Sequence, residues 1–186
     1  MRSRRNPLAL LPFLTLGLGL AAGPADAETS QVSASGFLVT VRHQVKAPPP
    51  RLYAALAEVD RWWNGSHSYS GQAANLSLVR QAGGCFCERW GNNAIEHARV
   101  VLAMEDRTLR LEGSLGPLQA LAVKGVLTFT LTSKDGGTDL VVTYRVAGNE
   151  AAGLQPLAGP VDRVISEQVG RLVAYVETGK ADPAKP

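Results

Sequence analysis

Hydrophobic and polar residues alternate along most of the chain, and this alternation predicts strands. In residues 36–46, Phe37, Val39 and Val41 fall on one face, while the side chains between them are mostly polar. Such a pattern is typical of a strand with one buried face. Six more alternating segments follow from Leu76 onward, separated by short runs rich in Gly, Asn and Asp that favour tight turns. Together they predict an antiparallel sheet of about seven strands with one buried face.

Helical spacing of apolar residues occurs in two places. Between the first two predicted strands, Leu52, Leu56 and Val59 follow a run of prolines and predict two short helices. Near the C-terminus a longer apolar stripe begins at Pro160 and ends before Gly179, a typical helix start and stop. The members of this stripe are Val161, Val164, Ile165, Gln168, Leu172, Tyr175 and Val176. We therefore predict an α+β fold in which a curved antiparallel sheet wraps around one long C-terminal helix.

The N-terminus has the features of an export signal. Three arginines within the first five residues precede an apolar run, and Ala25 and Ala27 supply the small residues of a cleavage site. The run is short and rich in glycine, so an uncleaved membrane anchor is the weaker alternative. We expect residues 1–27 to be removed and the protein to be periplasmic or secreted, with no stable membrane span.

The rest of the chain has a length suited to one domain. We expect a flexible lead-in, a single folded domain and a disordered tail at residues 28–35, 36–179 and 180–186. The whole chain has a net charge of +3, but the signal contains three of its arginines, so the exported domain is nearly neutral. A nearly neutral domain lacks the basic surface typical of nucleic-acid binding, and no nucleic-acid partner is expected.

Motifs of common enzyme chemistries are absent from the sequence. The chain contains no phosphate-binding glycine loop, dinucleotide fingerprint, HExxH motif or serine–histidine–acid motif. No cofactor is therefore expected, and no residue is assigned to catalysis or to a metal.

One predicted hairpin holds both cysteines of the chain together with Glu88 and His97. The Gly-Asn-Asn run at 91–93 predicts a tight turn between its strands. A regular ladder through this turn places Cys85 and Cys87 on the inner face of the sheet, and Glu88 beside His97 on the outer face. Only a bulge or an odd-length loop would exchange the two faces.

This arrangement favours two buried free thiols. A Cys85–Cys87 disulfide is less expected, because residues two apart in a strand lie about 6.5–7 Å apart, at the upper edge of disulfide geometry. A Cys/His metal site would need His97 on the same face as the thiols, and therefore a bulge. Glu88 and His97 are expected to form an ordinary cross-strand charge pair, with an acid/base couple as the alternative if the faces are exchanged.

The segment at 62–71 is the predicted rim of a binding site, because Trp63, His67 and Tyr69 alternate there with Gly and Ser. Ligand sites combine aromatic walls with a few polar groups. The alternative is that the tryptophans only fill the core. A second predicted rim segment lies at 114–123, where apolar residues are interrupted by Gly and Pro.

Two more polar side chains, His43 and Tyr144, point inward from their predicted strands. Each is either a core group bonded within the protein or a ligand contact, and the pattern does not separate these interpretations. The candidate ligand-binding residues are therefore Trp63, His67, Tyr69, Cys85, Cys87, Phe129, Tyr144 and His43.

The element order, together with three local segments, resembles a known superfamily. The segments are WWNGSHSYSG at 62–71, GGCFCERW at 83–90 and GGTDLVVTYRV at 136–146, and the long helix follows them. The chain resembles exported members of the SRPBCC superfamily (START-like, helix-grip fold). It is similar to the branch that contains polyketide cyclases, dehydrases and relatives of a chaperone-ATPase activator. The resemblance implies a deep, largely apolar cavity between sheet and helix.

We expect the protein to bind a small, mainly apolar molecule, lipid-like or polycyclic, in this cavity. A sheet–helix space filled by side chains, with no cavity left, would count decisively against that expectation. A cyclase or dehydrase is a competing hypothesis, in which two of His43, His67 and Tyr144 would converge on one spot. An interaction module of the chaperone-ATPase-activator type is a second, and it would show a large exposed apolar patch. A Cys/His metal site is the third.

Overall fold

A computed structural model describes residues 26–182, which form eight strands, three α-helices and several short 3-10 turns. The elements in chain order are β1 (Asp26–Ser33), β2 (Gly36–Val45), α1 (Pro49–Leu56), α2 (Val59–Trp62), β3 (Leu76–Leu78), β4 (Cys85–Trp90), β5 (Asn93–Met104), β6 (Thr108–Glu112), β7 (Lys124–Lys134), β8 (Gly137–Ala147) and α3 (Ala158–Thr178).

The strands make one antiparallel sheet in the order β1-β2-β8-β7-β6-β5-β4-β3. Helix α3 packs against β1, β2, α1 and α2. It buries Ile165, Val169, Leu172 and Val176 in the hydrophobic core. The helix ends at Gly179, whose φ of 79° closes the last turn and is readily adopted by glycine. The predicted α+β class, with a curved sheet and one long C-terminal helix, is confirmed.

The lead-in to the domain differs from the prediction. Residues 28–35 were expected to be flexible, but most of them belong to β1, which pairs with β2 and adds an eighth strand. The alternation of this segment is weak because it is an edge strand with little buried surface. The predicted signal peptide lies outside the described residues apart from Asp26 and Ala27.

The start of the predicted disordered tail is also ordered. Ala181 is buried, and Asp182 forms an ion pair with Arg171 of α3. Among the helices of residues 26–182, none is long and apolar enough to cross a membrane.

The β4–β5 hairpin contains a bulge, whereas the predicted ladder was regular. Trp90 pairs with Asn93, so Gly91 and Asn92 form the turn. Cys87 pairs with Glu96, but Phe86 pairs with Ala98, which leaves His97 as an extra residue on β5. An extra residue in one strand exchanges the faces beyond it.

The exchange reverses the predicted faces of the hairpin. Phe86 and Glu88 now lie on the inner face and are buried, and His97 turns inward as well. Cys85 and Cys87 lie on the other face, opposite the exposed Arg99 and Glu96. The predicted inward thiols and outward Glu88–His97 pair are therefore wrong, because one bulge shifts the register.

A second irregularity lies further along β5, between Val100 and Leu102. Ala98 and Val100 are buried, but Met104 at the end of β5 is 46% exposed. Ala103 packs against the core instead.

Candidate functional site

A short segment, residues 64–70, connects α2 with the sheet and is here called the strap. The sequence favours an irregular path, because Gly and Ser alternate with aromatic residues and offer no apolar period. The strap begins with a 3-10 turn at Gly65–His67, where the Asn64 side chain accepts from the Ser66 N–H at 3.0 Å. The turn requires Gly65, because a Cβ there would lie 2.8 Å from the Ala73 nitrogen.

The first half of the strap is attached to helix α3. The Asn64 backbone N–H donates to Gln168 Oε1 at 2.7 Å, and the Asn64 amide donates to Glu167. His67 Nε2 lies 3.0 Å from the other Glu167 oxygen. Hydrogen bonds from Asn64 and His67 hold the pKa of Glu167 below its usual value.

The second half of the strap is attached to the sheet through Glu88. This carboxylate is fully buried and accepts from the backbone N–H of Tyr69 at 3.0 Å and of Ser70 at 2.5 Å. His97 Nε2 lies 3.0 Å from Glu88 Oε2. Because a carboxylate only accepts, Nε2 is the donor and Nδ1 of the neutral ring keeps its lone pair.

The protonation states of this buried pair follow from its surroundings. Burial raises the pKa of Glu88, but hydrogen bonds from Ser70, Tyr69 and His97 outweigh it, and the pKa lies below its usual value. Burial lowers the pKa of His97, and this effect exceeds the opposing effect of the Glu88 carboxylate. Near neutral pH the pair is therefore a carboxylate beside a neutral imidazole.

A row of aromatic rings runs from the start of the strap to its far end. The Trp63 ring is 5.3 Å from Phe86, Phe86 is 4.9 Å from the His97 ring, and His97 is 5.9 Å from Tyr69. Trp63 is buried and also donates from Nε1 to the His67 carbonyl at 3.1 Å. Trp63, His67 and Tyr69 therefore share one neighbourhood, and Trp63 also fills the core.

The two predicted rim segments meet at the Tyr69 hydroxyl. This group donates to the Gly116 carbonyl at 3.1 Å and lies 3.3 Å from the Gln119 side-chain oxygen. Tyr69 itself is 49% exposed. The strap and the segment at 114–123 are therefore in contact through the Tyr69 hydroxyl.

Gln168 is the buried polar residue of α3 that the strap covers. It is 2% exposed, and its Oε1 accepts from Asn64 while its Nε2 is buried with no hydrogen-bond partner. A buried N–H without an acceptor costs about 1–3 kcal/mol. The Gln168 amide therefore presents an unused donor inside the fold.

Tyr144 is bonded within the protein. Its hydroxyl accepts from the Leu115 N–H at 2.9 Å and donates to the Gly113 carbonyl at 3.0 Å. Burial raises the pKa of this phenol to about 12. The geometry therefore favours the interpretation of Tyr144 as a core group bonded within the protein over that of a ligand contact.

Phe129 and His43 also lie apart from the strap. Phe129 is a buried core residue of β7, with Leu109 and Val142 as its cross-strand partners. His43 is partly buried near the Glu177 carboxylate of α3, and burial lowers its pKa while that carboxylate raises it. His67 and Tyr144 have different hydrogen-bond partners and His43 lies near a third group, Glu177, so the convergence expected of a cyclase or dehydrase does not occur among them.

The two cysteines form a disulfide, with their Cα atoms 5.4 Å apart. The expectation of free thiols lining the interior is therefore wrong on two counts, since the sulfurs are bonded and lie on the outer face. Because both sulfurs are in this bond, neither is available as a thiolate ligand for the Cys/His metal site that was the third hypothesis. Within residues 26–182 no group of three metal-ligating side chains is present.

The space between sheet and helix is occupied by buried side chains of both layers. Two open depressions, of about 610 and 450 Å³, are present on the described part of the protein, and α3 lines neither of them. The larger is bounded by the start of α1, the turn that leads into β6 and the end of β7. The smaller is bounded by α1, the residues after β3 and the end of β5. The deep cavity beside α3 that the resemblance implied is not one of these depressions, and the filled sheet–helix space counts against the expectation of a preformed internal binding site.

The strap contacts on α3 were missed by the sequence analysis. Gln168 was assigned to the buried stripe of α3, and a lone amide in an apolar stripe was the signal that could have marked it. Asn64 and Glu167 carried no such signal, because both are polar residues on exposed segments.

The sheet closed by a C-terminal helix defines a helix-grip protein. The solved structure of a conserved protein of unknown function from Enterococcus faecalis matches with a TM-score of 0.59 and 16% identity, over 87% of this chain and 82% of that one. CalU16 from Micromonospora echinospora matches with a TM-score of 0.57 and 13% identity, over 87% and 88%. The Aha1 dimer from Colwellia psychrerythraea matches with a TM-score of 0.58 and 16% identity, over 77% and 98%.

At these identities the likeness shows a shared fold and nothing further. No protein-family profile matches the chain, and no curated protein matches it.

Proposed function

We propose that this protein is an exported member of the SRPBCC superfamily that binds a small, mainly apolar molecule carrying an oxygen acceptor, between the strap and α3. The observation that carries the proposal is the buried Gln168 amide nitrogen without a partner. A carbonyl, carboxylate or hydroxyl oxygen of a ligand would satisfy this donor. The neighbouring aromatic row would supply the apolar wall.

Entry of the ligand requires the strap to move, because side chains occupy the sheet–helix space. The strap is held to α3 by Asn64 and His67, and the His67–Glu167 pair is partly exposed, at 33% and 40%. Exposed pairs of this kind contribute little to stability. The α3 side of the strap is therefore the side expected to open, while the buried Glu88 keeps the other side attached.

Titration with dodecanoate tests the proposal, because this probe combines an apolar chain with a carboxylate acceptor. Binding is followed by the fluorescence of Trp62 and Trp63, in a Trp90→Phe background that removes the third tryptophan. We expect saturable binding, and native mass spectrometry should show one dodecanoate per chain. A protein that shows no saturable binding would contradict the function.

Two variants of Gln168 separate the role of its donor from its role in the strap. Gln168→Glu keeps an oxygen for the Asn64 N–H but removes the amide donor, whereas Gln168→Met removes both. We expect each variant to weaken dodecanoate binding at least tenfold, which is about 1.4 kcal/mol, and only Gln168→Met to loosen the strap as measured by proteolysis. Unchanged affinity in Gln168→Glu would exclude Gln168 as the ligand donor.

A second candidate function is supported by Glu88 and His97. A neutral imidazole held by a buried carboxylate has the arrangement of a general base, which suits the cyclase or dehydrase alternative. Hydrolysis of p-nitrophenyl acetate probes such a base: wild type should exceed His97→Gln by at least tenfold, while His67→Gln keeps the wild-type rate. Equal rates in wild type and His97→Gln would leave Glu88 and His97 as the structural anchor of the strap.

A further inference from the structure

The disulfide coincides with a shortened stretch of β4. Residues two apart in an extended strand lie about 6.5–7 Å apart, but the Cα atoms of Cys85 and Cys87 are 5.4 Å apart. The strand is therefore contracted across Phe86.

The bulge of the β4–β5 ladder lies directly opposite this contraction. Phe86 pairs with Ala98 and Cys87 with Glu96, so His97 of β5 has no partner on β4. When one strand is shortened, its neighbour has more chain than the ladder can pair, and one residue is left over. The disulfide and the inward position of His97 are thus two parts of one irregularity.

The bond has little to contribute to stability by constraining the unfolded chain. It closes a loop of only three residues, since Cys85 and Cys87 are separated by two positions. The gain from cross-linking grows with loop length and is smallest for so short a loop. The usual structural role of a disulfide does not account for this one.

The position of Cys85 allows attack by another thiol. Cys85 is partly exposed on the outer face, whereas Cys87 is 5% exposed. The exposed Arg99 lies directly opposite Cys85 and forms an ion pair with Glu96, and its guanidinium favours a thiolate that approaches Cys85. Strand β4, which contains Cys85, lies next to β3, the short edge strand of the sheet. Val79, just beyond β3, is 49% exposed.

We propose that Cys85–Cys87 is a redox-active disulfide that exchanges with a protein dithiol, and that its reduction releases His97 from Glu88. A thiolate of the dithiol attacks the Cys85 sulfur, forming a mixed disulfide and expelling Cys87 as a thiolate. The second thiol of the partner then attacks the partner's other sulfur, which is bonded to Cys85 in the mixed disulfide, and expels Cys85 as a thiolate. The partner loses two electrons and becomes a disulfide. Cys85 and Cys87 gain these electrons and take up the protons that the dithiol has lost.

Reduction allows β4 to extend and to pair regularly with β5. If the pairs Cys85–Arg99 and Phe86–Ala98 are kept, a regular ladder pairs Cys87 with His97, and His97 then lies on the outer face, away from Glu88. The redox state of the outer face is thereby communicated to the inner face, where Glu88 holds the strap. This proposal concerns the opposite face from the ligand site and does not depend on ligand binding.

The test treats the folded protein with dithiothreitol as the dithiol, followed by alkylation and mass measurement. We expect both cysteines to be alkylated while far-UV circular dichroism stays unchanged, and the His97 ring and β5 amide signals to shift in NMR spectra. Alkylation only after denaturation would overturn the redox proposal. Alkylation of the folded protein with unchanged His97 signals would overturn the coupling to Glu88.

Two sets of variants sharpen the result. A Cys85→Ser/Cys87→Ser protein should show the His97 signals of the reduced wild type, without any reductant. Arg99→Gln should slow reduction several-fold, whereas Arg110→Gln, an exposed arginine on β6, should leave the rate unchanged. Equal rates in both arginine variants would remove Arg99 from the exchange.

Discussion

Glu88 and His97 form a buried pair on the inner face of the sheet, with 3.0 Å between Glu88 Oε2 and His97 Nε2. The carboxylate also accepts from two backbone N–H groups of the strap. Three residues of two segments, Tyr69 and Ser70 of the strap and His97 of β5, therefore depend on one carboxylate. This dependence makes Glu88 the residue through which the strap can be tested.

Glu88→Gln should lower the free energy of unfolding by about 2–3 kcal/mol, because an NH2 group replaces an acceptor that faces N–H donors. Urea unfolding measures the change. Glu112→Gln is the matched control, since Glu112 forms an exposed ion pair with Lys124 and should change stability by less than about 0.5 kcal/mol. An equally small effect for Glu88→Gln would show that the strap is held by other contacts.

Acidification should destabilise the protein in two steps. The pKa values of His97 and His43 are lowered from 6.5, so below pH 6.5 the unfolded chain binds protons first and stability falls until the folded pKa values are reached. The pKa values of Glu88 and Glu167 are lowered from 4.5, and their stabilisation is lost as pH falls below that value.

Urea unfolding between pH 8 and pH 3 measures both steps. Each proton taken up only by the unfolded chain contributes a slope of about 1.4 kcal/mol per pH unit. His97→Gln and His43→Gln should each flatten the first step and leave the second step in place. A first step that persists in the double variant would assign it to other groups.

Tyr144→Phe should cost about 2–4 kcal/mol, because it leaves the partly buried Leu115 N–H and Gly113 carbonyl without their partner. Tyr175→Phe is the control, since its hydroxyl meets Glu58 near the surface, and we expect a loss below about 1 kcal/mol. Thermal unfolding measures both. A Tyr144→Phe protein of normal stability but weaker dodecanoate binding would return Tyr144 to the ligand-contact role.

Gly65→Ala should destabilise the strap, because its Cβ would lie within 3.0 Å of the Ala73 nitrogen and the Gly71 oxygen. The cost is about 1–3 kcal/mol if the strap is displaced. Gly170→Ala in α3 meets nothing within 4 Å and should instead stabilise the helix by about 0.5–1 kcal/mol. Proteolysis at residues 64–70 together with urea unfolding distinguishes a displaced strap from a general loss of stability.

The larger part of the fold could be predicted from residue patterns. The alternation in β2, β7 and β8 and the stripe of α3 place hydrophobic residues at the period of each element, so these elements follow from local chemistry. Within the site, Trp63, His67 and Tyr69 could be grouped in advance because they are neighbours in one segment. The ordered β1 was missed because an edge strand buries too little surface to impose a clear alternation.

The faces of the β4–β5 hairpin could not be predicted, because the side-chain period of a strand is two and one extra residue reverses every assignment beyond it. The sequence determined the curved sheet, the closing helix and the composition of the strap, since these depend on the local spacing of apolar and polar groups. Only the tertiary structure decided that His97 bulges, that Glu88 is buried beneath the strap and that Cys85 is bonded to Cys87. These outcomes depend on the register in which two strands pair, and the sequence of neither strand alone specifies that register.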